Sequence, residues 1–315
     1  MGYTSFCSIF QTMKQPSSFS VGHWFLGVAL CALSVSSCAQ KGYQSSQVLR
    51  DVEILAADSM GGRLPNTPGH AKAQQYLMKR FKEVGLTPIL QPFQFTSRAT
   101  KEQTPGSNII GTIAGKSEKV IVITAHYDHV GTRNGIIFNG ADDDASGIGA
   151  LLAIATHFNA QKPQHTLYFV AFDAEEQGLA GSKAFVENLP IAKERILLNV
   201  NMDMLSISAK NELYAAGTFH YPWLKPILDQ VKTPEGLTLK QGHDRPEQGH
   251  DDWTLQSDHG SFHRKQIPFV YFGVEDHPHY HKETDEFKNI HQPFYLKSVE
   301  TVLNAVQLLD KQIPL

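Results

Sequence analysis

Three apolar runs of strand length constrain this chain more than any other feature: residues 120–124 (V-I-V-I-T), 166–172 (T-L-Y-F-V-A-F) and 196–200 (I-L-L-N-V). They are rich in β-branched and aromatic residues and lack the polar alternation of a one-faced strand. Each therefore reads as a strand buried on both faces. Helical patterns separate them, at 145–158 with the apolar stretch G-I-G-A-L-L-A-I-A and at 179–189. Strands alternating with helices indicate an α/β fold, a three-layer αβα sandwich around a mixed, mostly parallel central sheet. Open sheets of this kind bind ligands beyond the carboxyl ends of their strands. All three runs end in chemistry-bearing residues: His126-Tyr127-Asp128, Asp173-Ala174-Glu175-Glu176 and Asn201-Met202-Asp203.

The remaining patterns fit around this frame. A helical pattern starts at residue 47 and is interrupted by Gly61-Gly62-Arg63-Leu64-Pro65; a second helix spans 71–84 and ends at Gly85, a natural C-cap. Strands are expected at 88–96, 107–114, 212–216, 237–241 and 267–274, and helices at 222–231 and 292–309. No repeat or linker follows residue 46, so 47–315 reads as one domain. The formal net charge of −3 offers no basic footprint, which argues against nucleic acid as a partner. Cys7, Cys31 and Cys38 all precede that domain, which excludes a disulfide framework, a cysteine-ligated zinc and a cysteine nucleophile within it. Residues 24–35 form an apolar core behind Met13-Lys14, too short to span a bilayer. That core closes on Val35-Ser36-Ser37-Cys38, which resembles the lipobox of bacterial lipoproteins. Residues 1–38 are expected to be an export signal and 39–46 a tether. The expected location is the bacterial cell envelope, with attachment to the membrane if Cys38 is lipidated.

Carboxylates are costly to bury alone and gather at one sheet edge only where something cationic compensates them. Carboxylate and imidazole suit zinc. His126 and Asp128 are two apart on a strand and point the same way, which suits a metal ligand and the carboxylate that orients it. Of the adjacent Glu175 and Glu176, one can bind metal while the other remains a general base.

The ordered segments A-H-Y-D-H-V-G, N-G-A-D-D-D-A-S-G, F-D-A-E-E-Q-G-L-A-G-S, N-V-N-M-D-M and Y-H-K-E-T-D resemble metallopeptidase family twenty-eight, the co-catalytic di-zinc aminopeptidases. The resemblance covers roughly residues 47–312 and implies the phosphorylase/hydrolase-like zinc exopeptidase fold. It also implies two zinc ions per chain and, as substrates, peptides with a free N-terminus. His126 and Asp203 would hold one zinc, Glu176 and His281 the other, and Asp142 would bridge them. Glu175 would be the base, Asp128 the orienter of His126, and Tyr280, directly before His281, the oxyanion donor. Two zinc ions carry four positive charges, balanced by Asp142, Glu176, Asp203 and a bridging hydroxide; a single zinc would leave surplus buried negative charge.

Asp143 and Asp144 read as helix caps or outer-shell acceptors, and His129, His277 and His279 as exposed loop imidazoles. Ser257-Asp258-His259 reads as an outer support, since no G-x-S-x-G elbow accompanies it. Loop 242–252 reads as solvated, and Asp285 as a candidate orienter of a ligand. Three rival functions stand beside the aminopeptidase: a single-zinc glutaminyl cyclase, a carboxypeptidase or dipeptidase on the same centre, and a binding module whose site has decayed. Retention of both His126 and Asp203 argues against the cyclase, and the full set of ligands and base argues against the module.

Overall fold

The apolar runs pair as the centre of an eight-stranded sheet. A computed structural model describes residues 42–98 and 100–315; the expected signal, Cys38 and the start of the tether lie outside them. Helix α1 (Ser45–Leu55) begins inside the segment expected to be tether, and Tyr43 already packs on the core. A 3-10 turn (Asp58–Arg63) leads to α2 (Pro68–Glu83). Then follow β1 (Ile89–Thr96), β2 (Gln103–Ile113) and β3 (Ser117–His126). A small hairpin, β4 (Gly131–Arg133) and β5 (Ile136–Phe138), follows the end of β3.

After an irregular stretch (Ala141–Ser146) come α3 (Gly147–Ala160), β6 (His165–Phe172), α4 (Ala180–Glu187), β7 (Ile196–Met202) and β8 (Glu212–Ala216). The chain closes with α5 (Lys225–Leu228), β9 (Thr238–Gln241), α6 (His259–Arg264), β10 (Phe269–Gly273) and α7 (Gln292–Gln312). The helix expected at 222–231 shrinks to a 3-10 turn and the four residues of α5. Pro222 and Pro226 supply no amide for a longer helical ladder. Helix α6 was not anticipated.

The strand order is β1-β2-β6-β3-β7-β10-β8-β9. β6, β3, β7 and β10 run parallel in the middle, while β1, β2 and β8 are paired antiparallel to their inner neighbours. Four parallel strands thus discharge their carboxyl ends at one edge. Alternation along β3 divides the core between the faces: Ile121, Ile123 and Ala125 pack toward α1, α2, α3 and α7, and Val120 and Val122 toward α4 and α6. On the second face Phe172, Phe185 and Phe262 form a ring cluster with centroids 5.6–6.2 Å apart, fixing α4 and α6 under the site. This is the three-layer α/β architecture expected.

Candidate metal centre

Each central strand delivers its charged end to the same edge. β3 ends at His126, β6 leads to Glu175 and Glu176, β7 to Asp203, and the segment after β10 carries Tyr280 and His281. His126 Nε2 lies 3.1 Å from Asp143 Oδ1 and 3.5 Å from Asp203 Oδ1. His281 Nε2 lies 3.1 Å from the other Asp143 oxygen and 3.4 Å from Glu176 Oε1. The structure therefore brings His126, Glu176, Asp203 and His281 together as expected, around a single carboxylate. That carboxylate belongs to Asp143.

The expectation that Asp142 stands between the two groups is corrected. Asp142 Oδ1 accepts from the Ser206 amide (2.6 Å), the Ser206 hydroxyl (2.7 Å) and the Ser146 hydroxyl (3.3 Å), and Oδ2 accepts from His277 Nε2 (2.8 Å). Both of its oxygens are occupied by these donors. The cause is local backbone. Asp143 (φ −104°, ψ 95°) and Asp144 (φ −130°, ψ 43°) depart from helical geometry, so consecutive side chains face different sides. The Asp143–Asp144 peptide is cis. Asp144 comes within 4.8 Å of His126 and Asp203. Both of its oxygens, however, accept backbone amides, from His126 (3.1 Å), Gly147 (2.8 Å) and Met204 (3.2 Å). It fastens the ends of β3 and β7 to the start of α3.

Asp128 differs in detail from its expected role. His126 Nδ1 is 3.2 Å from the Asp128 carbonyl and 3.6 Å from its carboxylate. The carboxylate instead accepts the amides of Glu175 (2.9 Å) and Glu176 (3.2 Å), so it orients both glutamates across a strand boundary. Asp285, the candidate orienter, accepts the amides of Asp142 (2.8 Å) and Asp143 (3.1 Å); burial, with Asp142 beside it, pushes its carboxyl up to about 6. Tyr280 lines the cleft and stacks on His281 with centroids 4.0 Å apart. His279 Nδ1 lies 2.9 Å from the Thr284 hydroxyl.

Two histidines read as exposed are not. His277 is the partner of Asp142, and His129 is fully buried at the second group, Nδ1 2.9 Å from Glu176 Oε1. The Y-D-H spacing after β3 was the only signal for His129, and an imidazole three residues past a strand ligand reads equally well as loop. Asp258 is fully buried below the site without a hydrogen-bond donor at either oxygen. His259 donates to the Trp253 carbonyl, and burial holds its imidazole down to about 3. Asp244, in the loop read as solvated, is buried and accepts the Gly217 and Phe219 amides at 2.9 Å. The rest of that loop is mostly exposed.

Arg63, in the Gly61-Gly62-Arg63 segment that shares the family resemblance, is a further residue to which the sequence reading assigned no role. It is fully buried and donates to five carbonyls: Tyr127 (2.8 Å), Leu55 (2.8 Å), Asn139 (2.6 Å), Gly140 (2.9 Å) and Asp143 (3.4 Å). It joins the end of β3 to the segment that carries Asp143. Gly62 makes this approach possible, since a Cβ there would fall 2.4 Å from the Phe138 carbonyl oxygen.

The electrostatics favour cations. Burial alone would raise Asp143, but His129, His126 and His281 outweigh it and hold the carboxyl well below the usual range. Burial and Asp143 push Glu176 up, and His129 and His281 bring it down to about 2. Burial pushes Glu175 well above the usual range, with Asp258, Glu176 and Asp203 adding to it against His126. Glu176 Oε1, Asp203 Oδ1 and both His129 nitrogens are buried without hydrogen-bond partners. Ligand atoms about 2.0–2.1 Å from a tetrahedral zinc lie roughly 3.4 Å from one another. The separations of 3.1–3.5 Å around Asp143 match that edge length. Imidazole and carboxylate are zinc donors, so the residues fit the metal.

The cleft above these residues has a volume of about 380 Å³. Met204, Trp253, Leu255 and Val274 give it an apolar wall, and Arg98, Lys183 and Arg264 a cationic rim.

Comparison with known proteins places the chain in a family. Residues 108–306 match the model of Peptidase family M28. The chain is 30% identical over 225 residues to aminopeptidase YwaD of Bacillus subtilis, covering 66% of this chain and 46% of that protein. It spans about half the length of the first curated relatives it matches. Among solved structures, a zinc aminopeptidase from Bacillus subtilis superposes with a TM-score of 0.68 at 17% identity, covering 84% of this chain and 95% of that one. A glutaminyl cyclase from Bacteroides thetaiotaomicron bound to N-acetylhistamine does so with 0.69 at 21%, covering 84% and 98%. These likenesses show the fold, and the family match over more than half of the sequence shows the descent: the chain belongs to peptidase family M28.

Proposed function

We propose that this chain is a two-zinc aminopeptidase that removes N-terminal residues from peptides. The observation that carries the reading is one carboxylate, Asp143, whose two oxygens face His126 on one side and His281 on the other. His126 and Asp203 would hold one ion, Glu176 and His281 the second, and Asp143 both. Bound there, the ions would polarise the scissile carbonyl and acidify a water. Glu175, its amide held by Asp128 and its carboxyl lining the cleft, takes a proton from the attacking water and delivers it to the departing amine. Water is thereby added across one C–N bond and the enzyme is restored. Tyr280 donates to the carbonyl oxygen as charge develops on it. The apolar wall suits a hydrophobic terminal side chain, Asp276 at the cleft attracts the free amine, and the cationic rim attracts the carboxylate of a short peptide.

The test compares metal-replete protein on one leucine-initiated peptide with a free or an acetylated amino terminus. Hydrolysis of the free form alone is expected; equal cleavage of both overturns the reading. Because a glutaminyl cyclase shares the fold, a glutamine-initiated peptide is included. Ammonia release without hydrolysis would replace the aminopeptidase with a cyclase.

We also propose export to the cell envelope with lipid on Cys38, on the strength of the apolar core at 24–35 and the lipobox-like end. Fatty-acid labelling that vanishes in Cys38→Ala is the expected result, and unlabelled, cytosolic wild-type protein refutes it.

A further inference from the structure

We infer that His129 is a protein donor to the second metal position, giving that position two imidazoles and two carboxylates while the first has one imidazole. The inference rests on the two-metal reading above. His129 Nδ1 lies 2.9 Å from Glu176 Oε1 and 3.8 Å from Asp143 Oδ2, and the three residues form a group able to hold a metal. With His281 Nε2 at 3.1 and 3.4 Å from the same two oxygens, four of the six separations among four donor atoms span 2.9–3.8 Å. They scatter about the roughly 3.4 Å edge of a tetrahedral zinc shell.

The ring is held rigidly in this position. Its amide donates to the Arg63 carbonyl at 3.3 Å, and its carbons pack on Gly140, where a Cβ would fall 2.6 Å from them. The residue has no exposed surface, and neither ring nitrogen nor Glu176 Oε1 has a hydrogen-bond partner. The 2.9 Å contact with Glu176 is thus close without being aligned for donation. Two buried polar atoms so placed are satisfied together when a cation lies between them.

Four protein donors would hold an ion at the second position, against three, His126, Asp203 and Asp143, at the first. The shell richer in protein donors retains its metal more tightly, and the poorer one leaves more of its coordination to water or substrate. The second position therefore fills first and empties last, and exchange is confined to the first.

The experiment measures zinc content by mass spectrometry across a graded series of chelator concentrations, and the visible absorption of the cobalt(II)-loaded protein. Wild type, His129→Gln and His129→Ala are compared, with circular dichroism confirming that each folds. Wild type should release its two ions in two steps. In both variants the tighter step should weaken by more than about a hundredfold, beyond the 10–100-fold typical of losing an outer-shell partner. The cobalt spectrum should change, and free imidazole should restore it in His129→Ala. Unchanged affinities and an unchanged spectrum, with two ions in wild type, overturn this inference alone. Wild type that takes up no metal overturns the two-metal reading and this inference with it.

Discussion

Replacing Arg63 by lysine tests whether one buried cation assembles the site. The guanidinium has five N–H donors and the structure supplies a carbonyl for each. Lysine keeps the positive charge that faces Asp143 and Asp285, so the perturbation falls on the hydrogen bonds. With three donors on one nitrogen it leaves at least two carbonyls without a partner. At about 1–3 kcal/mol for each buried orphan, the loss is roughly 2–6 kcal/mol. Against a total stability of about 5–15 kcal/mol this is large but survivable. For a domain of this size, at about 2 °C per kcal/mol, it corresponds to a fall in Tm of roughly 4–12 °C. Calorimetry on metal-free protein is the appropriate assay, because bound metal would add its own stabilisation to the wild type. The carbonyls of Tyr127, Gly140 and Asp143 lie on the segments that carry His126 and Asp143, so the variant should also bind zinc more weakly once refolded with metal. A Tm within a degree of wild type would refute the reasoning, since it would mean that water or lysine satisfies every carbonyl.

Two further outcomes follow from the geometry. Asp143→Asn should abolish retention of both ions on dialysis, whereas Asp142→Asn should keep two ions and lower metal-free stability by about 1–3 kcal/mol through its Ser206 and His277 contacts; the reverse pattern in zinc content would restore Asp142 as the bridge. His259, which burial keeps neutral down to about pH 3, binds its proton in the unfolded chain near 6.5. Its contribution is complete above pH 6.5 and is lost as pH falls toward 3, by about 1.4 kcal/mol per pH unit. In metal-free protein the stability of wild type relative to His259→Gln should therefore shrink at that rate between pH 6 and 4, and parallel curves would exclude the effect.

The sheet and the clustering of His126, Glu176, Asp203 and His281 were legible in the sequence because strands buried on both faces show as unbroken apolar runs. A buried strand end followed by carboxylate or imidazole has few alternative readings. The miss at Asp142 has a specific origin. Three identical side chains in a row carry no pattern, and which one faces the His126 and His281 imidazoles is set by the φ/ψ values of Asp143 and Asp144. Arg63 was hidden because its partners are carbonyls, four of them 64 to 80 residues away. The two glycines before it were the available signal, since a buried side chain between close backbones needs neighbours without a Cβ. The helix at 222–231 failed on a rule that sequence does supply: Pro226 interrupts it.

The acid-rich edge holds more carboxylates than the two proposed metals could use. The structure divides them by what their oxygens already accept. Asp128 accepts the Glu175 and Glu176 amides, Asp144 those of His126 and Met204, and Asp285 those of Asp142 and Asp143. Asp142 accepts the Ser206 amide. Each of these bonds crosses from one strand end or loop to another, so buried carboxylates hold neighbouring ligand-bearing segments in register. Asp143, Glu176 and Asp203 instead turn their oxygens toward imidazoles, and Glu176 and Asp203 each leave one oxygen unpartnered. A carboxylate spent on backbone N–H groups has its charge stabilised already and gains little from a cation, whereas one left facing imidazoles in a buried site needs a cation to balance it. Applied to the aspartate triplet, that criterion selects Asp143 and rejects both neighbours without reference to any relative. It also separates the effects of mutation: losing Asp128, Asp144 or Asp285 displaces ligands on two segments at once, so metal affinity and folding stability should fall together, whereas losing Asp203 should lower affinity while leaving the metal-free fold near its wild-type stability.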